Sequence, residues 1–169
     1  MSVAIESEPT SLPRGAGLAL AALAPAAVGG ILTAHFSAVP PVAVTPAIVL
    51  GVIAATSPAL YIALAATGEA PRVPAVARAI AVALAAFGIA LTGFVLPATF
   101  LSLTSVTDPT PIVIATLALG GAALLGMRRL ARELALNSLS AWLVFSVWSI
   151  ATLGIAGRLW WDMARELVP

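Results

Sequence analysis

Residues 15–68 read GAGLALAALAPAAVGGILTAHFSAVPPVAVTPAIVLGVIAATSPALYIALAATG, fifty-four consecutive positions without an Asp, Glu, Lys or Arg. A helix rises about 1.5 Å per residue and the hydrocarbon core of a bilayer is about 30 Å thick, so one span takes roughly 20 residues. The stretch is long enough for two spans and has one obvious break, the proline-rich segment 39–46. Thr45 is suited to cap a helix there, with Pro46 at its first position, where a missing N–H costs nothing. The expected helices are residues 17–38 and 46–67.

Three further uncharged runs, 79–107, 109–127 and 134–157, continue the pattern. The third helix is expected over 75–105, with Pro97 kinking it near its far end. Asp108-Pro109-Thr110-Pro111 announces a fourth over 111–127, which is short unless it continues into the basic stretch beyond. The fifth is placed at 140–160, with Trp142 and Trp160 separated by about 27 Å of helix, as interfacial aromatic belts require. The fold class is therefore all-α: an integral membrane bundle of about five transmembrane helices with short loops and an amphipathic C-terminal stretch. A polar tail (1–14) precedes a single helical domain (15–169). The tail holds Glu6 and Glu8 and no basic residue before Arg14, unlike the basic start of a cleavable signal peptide.

Composition agrees. Of the 169 residues 61% are hydrophobic and 9% charged, against about 45–50% and about 25% in soluble domains, and the mean hydropathy is +1.09. A water-soluble fold of this size needs a charged exterior that this chain cannot supply. A net charge of +1 offers no nucleic-acid surface. The absence of cysteine excludes disulfides, iron–sulfur clusters, thiolate metal sites and Cys nucleophiles. All eight cations are Arg, and Ala and Gly abound, a bias expected of a GC-rich bacterial genome and hence of a bacterial inner membrane. With five spans, Arg14, Arg72, Arg78, Arg128, Arg129 and Arg132 share one side and Arg158 and Arg165 the other. The positive-inside rule then puts the N-terminus in the cytoplasm and the C-terminus outside.

No ionisable residue falls deep in a span, whereas ion-coupled transporters place such groups at mid-membrane. Paired acids for acid–base catalysis and metal clusters cannot be assembled from these segments, so the chain is not read as an enzyme. The single histidine, His35 in Thr33-Ala34-His35-Phe36-Ser37, has two readings: an axial ligand to haem or chlorophyll, or an interfacial histidine bonded to headgroup, water or partner. In the second helix Thr56, Pro58 and Tyr61 form one unusual patch. Pro58 frees a carbonyl that Thr or Ser hydroxyls can help satisfy, and Tyr61 wants a hydrogen-bond partner. A pocket or pathway between kinked helices would involve Thr56, Pro58, Tyr61, Thr92 and Thr99.

Small residues are the strongest pattern: alternate alanines from Ala79 to Ala90, Gly88 with Thr92, Gly120-Gly121-Ala122-Ala123, Gly29-Gly30, and Gly51 with Ala55. In lipid, where no hydrophobic force drives helices together, close backbone approach through small residues packs them. Such contacts serve within a chain and between subunits alike. The basic stretch 127–134 carries Arg128, Arg129 and Arg132 as a headgroup anchor or a docking surface for another subunit. Arg158 and Asp162 are spaced for an i,i+4 pair, and Trp148 at mid-depth suits core packing. These features lead to an accessory or scaffolding subunit of a larger bacterial inner-membrane complex, bound to lipid and to other membrane subunits or to copies of itself. A small-solute transporter or channel component and a pigment- or haem-binding subunit are the alternatives.

Overall fold

The computed structural model describes residues 14–36, 41–68, 71–104 and 110–167. The expectations for the polar tail through residue 13 lie outside them. Among the described residues five helices follow one another: α1 (Arg14–Phe36), α2 (Pro41–Ala66), α3 (Val73–Thr104), α4 (Thr110–Glu133) and α5 (Leu139–Arg165). All five are long and apolar enough to cross a membrane. Their apolar side chains turn outward in number, with Leu96 78% and Leu103 82% exposed, which suits hydrocarbon and not water. The chain is an all-α, multi-pass membrane bundle.

The helix ends follow local chemistry. Ser138 (φ −103°, ψ 157°) caps α5, its hydroxyl accepting from the Ala141 N–H at 3.1 Å. α2 closes where the Gly68 N–H donates to the Ala65 carbonyl at 3.0 Å with Gly68 at φ +76°, the left-handed stop that favours glycine. α4 runs through the basic stretch to Glu133, which gives the fourth helix its missing length. It is followed by Ala135 at φ +47°, a conformation that costs an L-residue with a Cβ roughly 1–2 kcal/mol. Replacing Ala135 by glycine should therefore stabilise the bundle by about 1 kcal/mol, seen as a higher unfolding midpoint in detergent.

α2 corrects the expected start at residue 46. The helix begins a turn earlier, at Pro41, and Thr45 lies inside it, 1% exposed, donating its hydroxyl to the Pro41 carbonyl at 2.8 Å. The proline pair 40–41 reads as a loop, but Pro41 needs no N–H partner at a helix start. Pro46 is carried within the helix at the loss of one bond to Val42.

α3 packs along α1 on one side and α4 on the other; α2 packs on α1 and α5, and α5 only touches α4. Successive helices run in opposite senses, with Gly121 of α4 beside Phe94 of α3 and Gly126 beside Phe87. The tightest approach is between the parallel helices α1 and α3: a Cβ on Gly88 would stand 2.5 Å from the Ala21 backbone nitrogen, and one on Gly17 2.5 Å from the Ala85 Cβ. Two buried clusters result. One joins Val28, Leu32, Phe87, Leu91 and Ala122 to Trp160 near the end of α5; the other joins Leu60, Leu64, Ala79 and Leu130 to Phe145 and Trp148 near its start.

Candidate functional site

Because α5 is held at both ends but only grazes α4, a cavity of about 220 Å³ remains between it and helices α2, α3 and α4. Its cause is local. Gly120 and Ala123 on α4 face Ala156 and Gly157 on α5 across it, and a Cβ on Gly120 or Gly157 would meet nothing within 4 Å. Trp148 and Trp160 stand at its ends.

Both indoles are satisfied. Trp148 Nε1 donates to the Thr56 backbone carbonyl at 2.8 Å, tying α5 to α2 beside Pro58. Trp160 Nε1 donates to Thr116 Oγ1 at 2.8 Å, and that hydroxyl donates in turn to the Ile112 carbonyl at 2.7 Å. Trp148 fills the core as expected, with Phe145 at 6.0 Å between ring centroids. Trp160 corrects its expected place: it is 9% exposed and inside, while Trp142 and Trp161 are 46% and 60% exposed and occupy the outward positions. The signal was available, since Ala141, Phe145, Trp148, Thr152, Trp160 and Ala164 form one helical stripe.

None of the five expected pocket residues lines this cavity. Thr56 and Ser57 hydroxyls donate to the carbonyls of Val52 (2.9 Å) and Ile53 (2.5 Å), on the turn before Pro58, which is exposed. Tyr61 packs beside the cluster around Leu60 and Leu64. Thr92 and Thr99, on the far half of α3, donate to Gly88 and Val95 carbonyls, each at 2.8 Å, and Thr92 is exposed. The structure therefore brings Thr56 to Trp148, while Tyr61, Thr92 and Thr99 lie outside the lining of this cavity. These hydroxyls looked available in the sequence because nothing there says which back-bond to their own helix.

His35 lies exposed in the last turn of α1, edge-on to Phe36 at 4.9 Å. Among the described residues no three of His, Asp and Glu gather to hold a metal. Arg128, Arg129 and Arg132 do come together, flanking a groove with Ala86 of α3 and Leu125 of α4. Arg129 also pairs with Glu133 at 2.7 Å. The expected pair of Arg158 with Asp162 forms at 3.1 Å, and Arg165 joins Asp162 at 3.2 Å. These pairs are half-exposed and serve as anchors more than as sources of stability.

The small residues divide into two sets. Gly17, Gly29, Gly88 and Gly126 are pressed against neighbouring helices, Gly29 against Pro41. On α2 the positions Ala43, Ala47, Gly51, Ala55 and Ala59, each four residues from the last, are all exposed, and a Cβ on Gly51 would meet nothing within 4 Å. No protein-family model, no curated protein and no solved structure matches this chain.

Proposed function

We propose that the protein is a non-catalytic accessory subunit of a larger bacterial inner-membrane complex, with the outward face of α2 laid against a transmembrane helix of another subunit. The observation that carries this reading is the exposed small-residue row from Ala43 to Ala59. A stripe spaced four apart lets two backbones approach closely, and inside this chain the equivalent positions of α1 and α3 are used in that way. Against lipid alone such a row has little to recommend it, since larger side chains fill the hydrocarbon better.

Orientation follows the charges. Arg72, Arg78, Arg128, Arg129 and Arg132 lie toward the end of the bundle where α1 starts, which is the cytoplasmic end by the positive-inside rule. The basic groove on α4 then faces the inner leaflet or a cytoplasmic segment of the same complex. Purification from native membranes in mild detergent tests the reading: the chain should co-migrate with one or more defined proteins in fixed stoichiometry. Isolation as a lone, monodisperse monomer would overturn it.

A further inference from the structure

We propose that the open groove between α3 and α4, at the end of the bundle where α1 starts, is a selective binding site for one anionic phospholipid. Its phosphate meets Arg128 and Arg132, and its acyl chains lie along the α3–α4 seam. This rests on the five-span bundle and not on the subunit reading.

The depth is that of a lipid phosphate. Residues 109–127 carry no charge, and from Pro111 to Met127 α4 climbs about 26 Å. That nearly crosses the ~30 Å of hydrocarbon, so Arg128 stands where hydrocarbon gives way to headgroups.

The charge there is left over. Arg128, Arg129 and Arg132 flank the groove, with Ala86 of α3 and Leu125 of α4 between them. Arg129 is paired with Glu133, whereas among the described residues no acid lies within ion-pair distance of Arg128 or Arg132. The opposite end of the bundle differs, since Arg158 and Arg165 both pair with Asp162 there. Arg128 and Arg132 are four residues apart and both exposed; like charges at that spacing repel until an anion joins them. A phosphate accepts from two guanidinium groups at once.

The same face continues as bare carbon. Gly121, Leu125, Arg128 and Arg132 recur at helical spacing on one side of α4. Leu125 is exposed, and Phe94 of α3, also exposed, lies beside Gly121. From the groove toward the bilayer centre the surface therefore passes from cation to hydrocarbon, the order in which a phospholipid presents headgroup and chains. An acidic segment of another protein would use the arginines and leave Leu125 and Phe94 bare, which favours lipid as the occupant. Basic grooves between transmembrane helices are a recurrent setting for anionic headgroups.

The full chain, purified in mild detergent and stripped of lipid, is titrated with phosphatidylglycerol or with phosphatidylcholine of identical chains, and adducts are counted by native mass spectrometry. One saturable phosphatidylglycerol adduct is expected, about tenfold tighter than phosphatidylcholine. Arg128→Gln/Arg132→Gln should weaken phosphatidylglycerol about tenfold through the loss of two charge-assisted hydrogen bonds, leaving phosphatidylcholine unchanged. Arg72→Gln/Arg165→Gln, which removes the same charge elsewhere, should change neither lipid by more than about twofold. Should the first double variant not fold, Arg128→Gln alone should still weaken phosphatidylglycerol at least threefold. Excess glycerol 3-phosphate, the headgroup chemistry without chains, should not displace the lipid. Equal affinity for the two lipids, or equal losses in the two double variants, would overturn the site. Displacement by glycerol 3-phosphate would overturn the acyl-chain contact and leave the groove to a soluble anion.

Discussion

Gly88→Leu is expected to leave no stable bundle. The Cβ it adds would sit 2.5 Å from the Ala21 nitrogen and 2.6 Å from the Leu20 carbonyl carbon, and backbone cannot step aside as a side chain can. α1 and α3 must separate, and with them the cluster of Val28, Leu32, Phe87 and Leu91. Overpacking a core costs about 1–3 kcal/mol even where side chains adjust, and this contact has none to adjust. Gly93→Leu is the paired control: it lies on the same helix, and its Cβ would meet nothing within 4 Å. Thermal unfolding in detergent followed by circular dichroism should show Gly93→Leu melting with the parent and Gly88→Leu without a cooperative transition. Equal melting of the two would contradict the α1–α3 packing.

Trp148→Ala should carry the next largest penalty, about 3–5 kcal/mol for a buried indole. The side chain is 8% exposed, centres the second cluster and donates to Thr56 across the α2–α5 boundary. Trp148→Phe keeps most of the packing and drops the hydrogen bond, so about 1 kcal/mol is expected. Trp142→Ala, at an outward position, should stay within about 0.5 kcal/mol. Unfolding of the three variants under one denaturant series separates packing from the hydrogen bond. A Phe variant as damaged as the Ala variant would shift the weight to the Thr56 contact.

The five helices are legible because charge is scarce and its gaps are long; residues 15–68 alone settle the class. Details misread at the sequence level share a physical reason. Pro41 and Thr45 take different roles according to where a helix starts, and a proline at the first position or inside the second turn suits two answers. Trp160 resembles an interface anchor by spacing along α5, and turns out buried when direction around the helix is counted. For the glycines the missing information is rotation: Gly51 and Gly88 look alike in a string, yet one faces outward and the other meets Ala21. The cavity had no signature because it is made of what is absent at Gly120 and Gly157, where no side chain fills the space.

The proposed role turns on the outward face of α2, and the most direct test is the mass of the particle that holds the chain when extracted from its own membrane in mild detergent. The parent is expected in an assembly well above its own 17.0 kDa, and Gly51→Leu, which nothing inside the chain opposes, should fold normally yet release it from that assembly. A folded Gly51→Leu protein that remains in an assembly of the parent's mass, or a parent that is itself monomeric, would contradict it.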